Sequence, residues 1–444
     1  MTAAGDRFSM AALGTGLDFD SIGHELYDRI RRLYPICRSI TGNGIRETLR
    51  LLATEIPLEI REVASGTAVF DWHVPKEWNI RDAYIKNLNG DRIVDFNMSN
   101  LHVVNYSVPV HARMTLAELR PHLFSIPDHP DWIPYKTSYY NETWGFCLSE
   151  RQRESLTDDV YDVCIDATLE SGHLTYGECC LPGSETDEVL VSCHMCHPSL
   201  CNDNLSGVSL AVTLARLLAG GSRRYTYRFL FIPGTIGAIT WLALNESHAS
   251  KIKHGLVLAC AGDRGSLTYK QSRRGDAEID RVVRHVLQRS KTRHNVEEFS
   301  PYGYDERQYC SPGFNLPVGV LSRTPHGRFP EYHTSADNLD LVDPAALADS
   351  LRTCLSIAEI LEGDGVFVNQ NPKCEPQLGR RGLYATMGGH SGDSRTREAA
   401  LLWVLNLSDG SRTLLDIAEQ SGLSFAAVRA AASVLIESEL LQEQ

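Results

Sequence analysis

Apolar and polar positions follow two rhythms along this chain, and the switches between them mark its parts. Near the start, Ile22, Leu26, Ile30, Leu33 and Tyr34 recur at helical spacing on one face. The loop SITGNG at 39–44 breaks the pattern, and a second helix is predicted over 45–56. From Arg61 to Leu148 the apolar runs become short and β-like, and Pro, Asn, Gly and aromatics are frequent. From Glu150 the pattern alternates strand and helix. Strands are predicted over 189–193, 227–232, 256–261 and 318–321, and helices over 206–218, 236–245, 278–289 and 344–361. Such alternation implies a mostly parallel α/β sheet with helices on both faces. A Pro- and Gly-rich linker at 363–379 leads to three short helical patterns, 395–405, 413–421 and 424–437. Thr413 and Asp416 cap the middle one, and Ser421-Gly422 turns into the last, as in a winged helix-turn-helix. Four parts are expected: N-terminal helices (1–60), an inserted β-rich unit (61–148), the α/β unit (149–365) and a winged helix (375–444).

The polar positions that interrupt this pattern carry the chemistry. In EVLVSCHMCHPSLCNDNLSG, at 188–207, an apolar strand ends at His194, and a polar loop bears Asp203 and Asn204 before the next helix opens. In a parallel sheet that is where the ligand crevice lies. Asp263 and the loop YHTSADN, with His333, also follow predicted strands. Imidazole nitrogens and carboxylate oxygens converging there suit a divalent metal such as zinc. His197 reads as a residue that orders the loop. Cys193-His-Met-Cys196 matches C-x-x-C, so a redox pair or a structural zinc knuckle is the alternative. The knuckle would need a second pair, and Cys179-Cys180 has the wrong spacing.

Composition narrows the function classes. With 444 residues, 43% hydrophobic and 22% charged, the chain is an ordinary multi-domain globular protein. A net charge of −13 argues against nucleic acid as a partner. No apolar run reaches membrane-span length, and the first 20 residues lack the basic start and apolar core of a signal peptide. Twelve cysteines in a chain without that signal read as reduced thiols, which points to the cytoplasm.

The order His194, then Asp203-Asn204-Leu-Ser-Gly207, then Asp263, then His333 resembles that of the co-catalytic zinc aminopeptidases. A closer resemblance is to a bacterial aminopeptidase-like family with an inserted β domain and a C-terminal winged helix, often encoded among surface-polysaccharide genes. Its blocks appear here as TSYYNETWGFCLS (137–149), CHMCHPSLCNDNLSG (193–207), SPGFNLPVG (311–319) and FPEYHTSADNLD (329–340). The resemblance implies that His194, Asp203 and His333 hold a metal, with Asp263 a fourth candidate. It puts Cys196 where an aspartate orients the first histidine. In two-metal relatives two adjacent glutamates follow the next strand, a general base and a ligand of the second metal. Here Gly234 and Thr235 stand there. Thr235 implies one zinc per chain. Gly234 removes the base, which predicts negligible hydrolysis of simple aminoacyl amides.

Three readings stay open: a binding or regulatory protein derived from a hydrolase; an enzyme whose base is Glu331 or Asp305; or a chemistry that needs only Lewis-acid polarisation. The expected partner is a small-molecule or short peptide-like substrate, an amide or aminoacyl compound of a biosynthetic pathway. Tyr139 and Tyr140 are either small-domain core or a substrate wall. Arg323 and Arg328 either bind a substrate carboxylate or form salt bridges. The tail's recognition helix, with one Arg and two Glu, favours packing or protein contact over DNA. The oligomeric state is left open.

Overall fold

The computed structural model describes residues 16–157, 159–290, 292–383 and 392–444. The segment read for a signal peptide therefore lies mostly outside the described residues. The chain forms two compact units: a large one, Leu17–Gly220 with Tyr225–Thr353, and a small one that includes Cys354–Gln444.

The large unit is built on an eight-stranded sheet. Its spatial order is Glu59–Ala64, His173–Leu181, Thr226–Ile232, Glu188–His194, Ile252–Leu258, Val318–Ser322, Leu267–Lys270, His294–Glu297. The four strands from Thr226–Ile232 to Val318–Ser322 run parallel, and antiparallel strands flank them. Glu188–His194 is buried at every position. That is the environment of a central parallel strand covered by helices on both faces, and it explains the unbroken apolar run in the sequence. Helix Gly207–Ala219 returns from the end of this strand. A Cβ at Gly207 would fall 2.3 Å from the Leu258 carbonyl oxygen, so only glycine lets the helix start against the neighbouring strand.

The inserted β-rich region differs from its expected boundary. Its four-stranded antiparallel sheet, Arg92–Asp95, Glu77–Lys86, Val160–Glu170, Val110–Thr115, takes a long central strand from beyond Leu148. At its other end, Glu59–Ala64 belongs to the large sheet, pairing with His173–Leu181. A short hairpin, Ala68–Val69 with Trp72–His73, projects from the same region.

In the small unit, helices Gly392–Leu407, Leu414–Ser421 and Phe425–Glu437 accompany a three-stranded sheet ordered Asp409–Thr413, Val366–Asn369, Leu441–Glu443. Thr413 and Asp416 form the expected capping box. No helix among the described residues is long and apolar enough to cross a membrane.

At the end of the central strands opposite His194, Arg228 grips Glu188 through two bonds, Nε–Oε2 at 2.7 Å and Nη2–Oε1 at 2.8 Å. Its third nitrogen meets Glu178, and His248 adds a 2.7 Å contact to Glu188. Removing one member of a buried pair strands the other charge in low dielectric. Arg228→Met should destabilise the large unit by about 3–5 kcal/mol, read as a lower denaturation midpoint.

Candidate metal centre

The centre is organised around one carboxylate. Asp203 lies in the turn Cys201–Ser206 between the central strand and its helix, and its side chain is fully buried. Two neighbours fix that turn. The carboxylate of Asp337 accepts the backbone N–H of Asn202 at 2.6 Å and of Asp203 at 2.9 Å. The Asn204 amide donates to the Leu258 carbonyl at 2.9 Å and accepts from Gly207 and Cys260 N–H at 3.2 Å each. The Asn-Asp-Asn sequence thus ties the turn to two adjacent strand ends and leaves the Asp203 carboxylate facing the crevice.

Three imidazoles surround it. His194 Nε2 lies 2.8 Å from Asp203 Oδ1, His333 Nε2 lies 3.1 Å from Oδ2, and His197 Nδ1 lies 3.6 Å from Oδ2. The ligand atoms of His194, His197 and Asp203 all fall within 4.8 Å of one another. Burial opposes ionisation of Asp203, yet the imidazoles outweigh it and hold the carboxyl well below the usual range. Burial pushes His197 down to about 3, against the pull of Asp203, so its ring is neutral at pH 7. His197 Nδ1 is buried and has no hydrogen-bond partner among the described residues.

These donors fit a divalent metal. Two atoms each about 2.0–2.1 Å from a tetrahedral zinc lie about 3.3 Å apart. The ring nitrogens lie at distances around that spacing, His194 at 2.8 Å from Asp203 Oδ1, and His333 and His197 at 3.1 and 3.6 Å from Oδ2. A neutral imidazole nitrogen left bare in a buried site is costly unless something takes its lone pair, and a metal ion would.

Aromatic rings wall the histidines. Tyr332 stacks on His333 at 4.0 Å, Tyr304 stacks on His194 at 5.4 Å, and Tyr135 meets both His197 and His333 edge-on at 5.0 Å. His333 itself has φ 56°, in the left-handed region, a strained backbone of the kind that clusters at functional sites.

Two sequence expectations are corrected here. Asp263 is not in the cluster. Its oxygens are taken by Asn202 Nδ2 (2.9 Å), Gly265 N–H (2.6 Å) and Thr324 Oγ1 (2.6 Å) and N–H (3.2 Å), so it braces the Asp203 turn. Arg323 is no substrate clamp. Its guanidinium is buried and bound to the Gly265 and Ala346 carbonyls and to Asp349. His197, read as a loop-ordering residue, instead joins the donors. Its signal is present in the sequence as the His-x-x-His spacing from His194. Asp337, inside the block 329–340, and Tyr304 are further site residues that the sequence reading does not single out.

Cys196 is buried beside the centre, but its thiol points at the Gly234 carbonyl, 3.8 Å away, and not at His194. Tyr139 reaches the centre through Tyr135, hydroxyl to hydroxyl at 2.8 Å. Tyr140 turns outward and packs against Trp72. Arg328 pairs with Glu297. Glu331 uses its carbonyl to close the loop by accepting from Thr334, and its carboxylate has no hydrogen bond or ion pair among the described residues.

Asp305 lies next to the gap at Gly234. A Cβ built on Gly234 would fall 3.0 Å from His194 Cβ and 3.6 Å from Asp305 Oδ2. Asp305 is 1% exposed, and neither carboxylate oxygen has a hydrogen-bond partner among the described residues. Burial raises its carboxyl to about 7, against the opposing pull of His194.

Residues 27–364 match a family described as a domain of unknown function, and residues 365–443 match the winged helix-turn-helix family. The chain belongs to that domain-of-unknown-function family. A relative from Clostridium acetobutylicum is 53% identical over 420 residues, covering 95% of this chain and 96% of its own. It is provisionally named as a polysaccharide biosynthesis protein with an aminopeptidase-like domain. A crystal structure of a provisionally named peptidase from the same organism matches with TM-score 0.91 at 50% identity, covering 96% of this chain and 98% of that one. A zinc aminopeptidase from Bacillus subtilis matches at TM-score 0.56 and 11% identity, over 76% of this chain and 94% of its own. The family member therefore has the zinc-aminopeptidase fold, followed by a winged helix.

If Asp203 is the hub, His194→Ala and Asp203→Ala should abolish zinc retention after dialysis. His197→Ala and His333→Ala should weaken zinc affinity at least tenfold, whereas Asp263→Asn should leave the bound zinc unchanged. Elemental analysis of the five variants beside the wild type checks this ranking.

Proposed function

We propose that this protein is a zinc-dependent hydrolase of an amide or aminoacyl compound, acting in the cytoplasm within a biosynthetic pathway. The observation that carries the reading is the buried Asp203 carboxylate with three imidazoles directed at it. The name of the Clostridium acetobutylicum relative supports a pathway that builds polysaccharide. His194, His197, Asp203 and His333 would hold one metal, and Thr235 stands where a ligand of a second would be needed. When bound, zinc would supply Lewis-acid polarisation of the scissile carbonyl.

The chain's own residues supply the rest. Asp305 serves as the general base in place of the missing glutamate. The Gly234 gap opens toward it, its oxygens have no competing hydrogen bonds, and a carboxyl titrating about 7 can both take and return a proton near neutrality. It accepts a proton from the attacking water and returns it to the leaving amine. Tyr304 and Tyr332 stack on His194 and His333 and orient their rings. Asp337 holds the Asp203 turn through two backbone N–H groups.

A panel of aminoacyl p-nitroanilides and N-acylated amino sugars tests the reading. Hydrolysis should be found on at least one probe and should stop on chelation. Asp305→Asn should keep fold and zinc but lose ~10²–10⁴-fold in kcat. Adding Gly234→Glu to that variant should restore part of the loss. A zinc-loaded protein inert on every probe would favour the binding-protein reading, and full activity in Asp305→Asn would exclude Asp305 as the base.

A further inference from the structure

A second feature of the large unit has no role in holding the metal. The hairpin tip carries Phe70 and Trp72, which are 54% and 44% exposed, and Tyr140 beside it is 48% exposed. The rings pack in two pairs. Trp72 packs on Tyr140 with centroids 5.2 Å apart, and Phe70 meets Phe314 edge-on at 5.8 Å. Phe70 and Tyr140 have φ of 54° and 66°. Bulky side chains rarely adopt that left-handed region, since Cβ crowds the following carbonyl. Two exposed aromatics are thus each held in a costly backbone conformation with their rings in solvent. Such strain persists where the surroundings enforce it, and it points to function.

Phe70, Trp72 and Phe314 border a hollow of about 360 Å³ that Ile239 also lines. Its polar lining consists of Asp71, Glu246, Gln308 and Ser311. Two chains of contact lead from the hollow's lining, at Gln308 and at Trp72 through Tyr140, toward the metal centre. Gln308 N–H bonds the Asp305 carbonyl at 2.9 Å, one helical turn from the proposed base. Tyr140 follows Tyr139, whose hydroxyl reaches Tyr135 against His197 and His333.

We infer that this hollow is a subsite for a sugar ring, neutral or bearing an amine, that forms the body of the substrate. The chemistry is complementary on each face. A pyranose offers an apolar C–H face that stacks on aromatic rings, and hydroxyls at its edge that carboxylate, amide and hydroxyl side chains bind. Asp71 and Glu246 are exposed carboxylates, so the lining repels phosphate and carboxylate and accepts a neutral or cationic group. The assignment rests on the hydrolase reading for its relevance to catalysis, but binding in the hollow needs neither zinc nor Asp305.

Saturation-transfer NMR and titration with methyl β-D-glucopyranoside, glucosamine, glucose 6-phosphate and L-phenylalanine amide test it on the full chain. Both unphosphorylated sugars should bind, and glucose 6-phosphate should bind at least tenfold more weakly. Trp72→Ala should weaken sugar binding at least tenfold, and Trp72→Phe should recover most of it. Phe70→Gly is the discriminating variant. Glycine relieves the left-handed backbone, so the melting temperature should hold or rise while sugar affinity falls at least fivefold. Zinc content should stay at the wild-type level in all three, which separates failure here from failure of the hydrolase reading. The inference is overturned by no binding of either sugar, by equal affinity in Trp72→Ala, or by preference for the phosphate or for L-phenylalanine amide.

Discussion

A carboxylate with no exposed surface is tolerable only if its charge is answered, and the ring nitrogens of His194 and His333 lie 2.8 and 3.1 Å from the Asp203 oxygens. Much of the surrounding structure keeps that arrangement in place. Asp337 and Asn204 hold the turn through backbone groups, and Asn202 carries the restraint to Asp263 and the next strand end. Gly207 brings the helix close enough for Asn204 to reach both the Leu258 carbonyl and the Cys260 N–H. The three histidines come from the strand end at His194, the loop after it and the distant loop at His333. One acidic side chain thus draws together segments 130 residues apart in sequence.

The second constraint is the open position at Gly234. With no side chain at Gly234, the nearest groups are His194 and the Asp305 carboxylate, from a segment 71 positions later in the chain. A buried carboxylate whose oxygens lack hydrogen bonds is unfavourable for stability alone. Cys196 is buried with its thiol 3.8 Å from the Gly234 carbonyl.

Much of the fold is legible in the amino-acid pattern. The central strands are buried on both faces and so read as apolar runs, and the helices between them keep their expected positions to within two residues. The edge strand Glu59–Ala64 carries no such signal. Five of its six residues are exposed, and it joins the sheet through backbone pairing that leaves no apolar pattern. The strand-end rule groups His194, Asp203 and His333, which are neighbours in the structure, but places Asp263 with them. The competing partner of Asp263, Thr324, lies 61 residues away, which spacing cannot reveal. His197 is the reverse case. Its spacing from His194 is in plain view, but what makes it a donor is an Nδ1 buried without a hydrogen bond, and only the packing of the loop determines that.

Everything proposed for the site depends on the Asp203 cluster being a metal centre. Native mass spectrometry of the full chain, purified without chelator, measures that directly, because it resolves the identity and number of bound ions on the intact protein. One zinc per chain, removed by chelation and restored on adding zinc back, is the predicted result. A metal-free chain that takes up no zinc, or a chain carrying two ions, would contradict it.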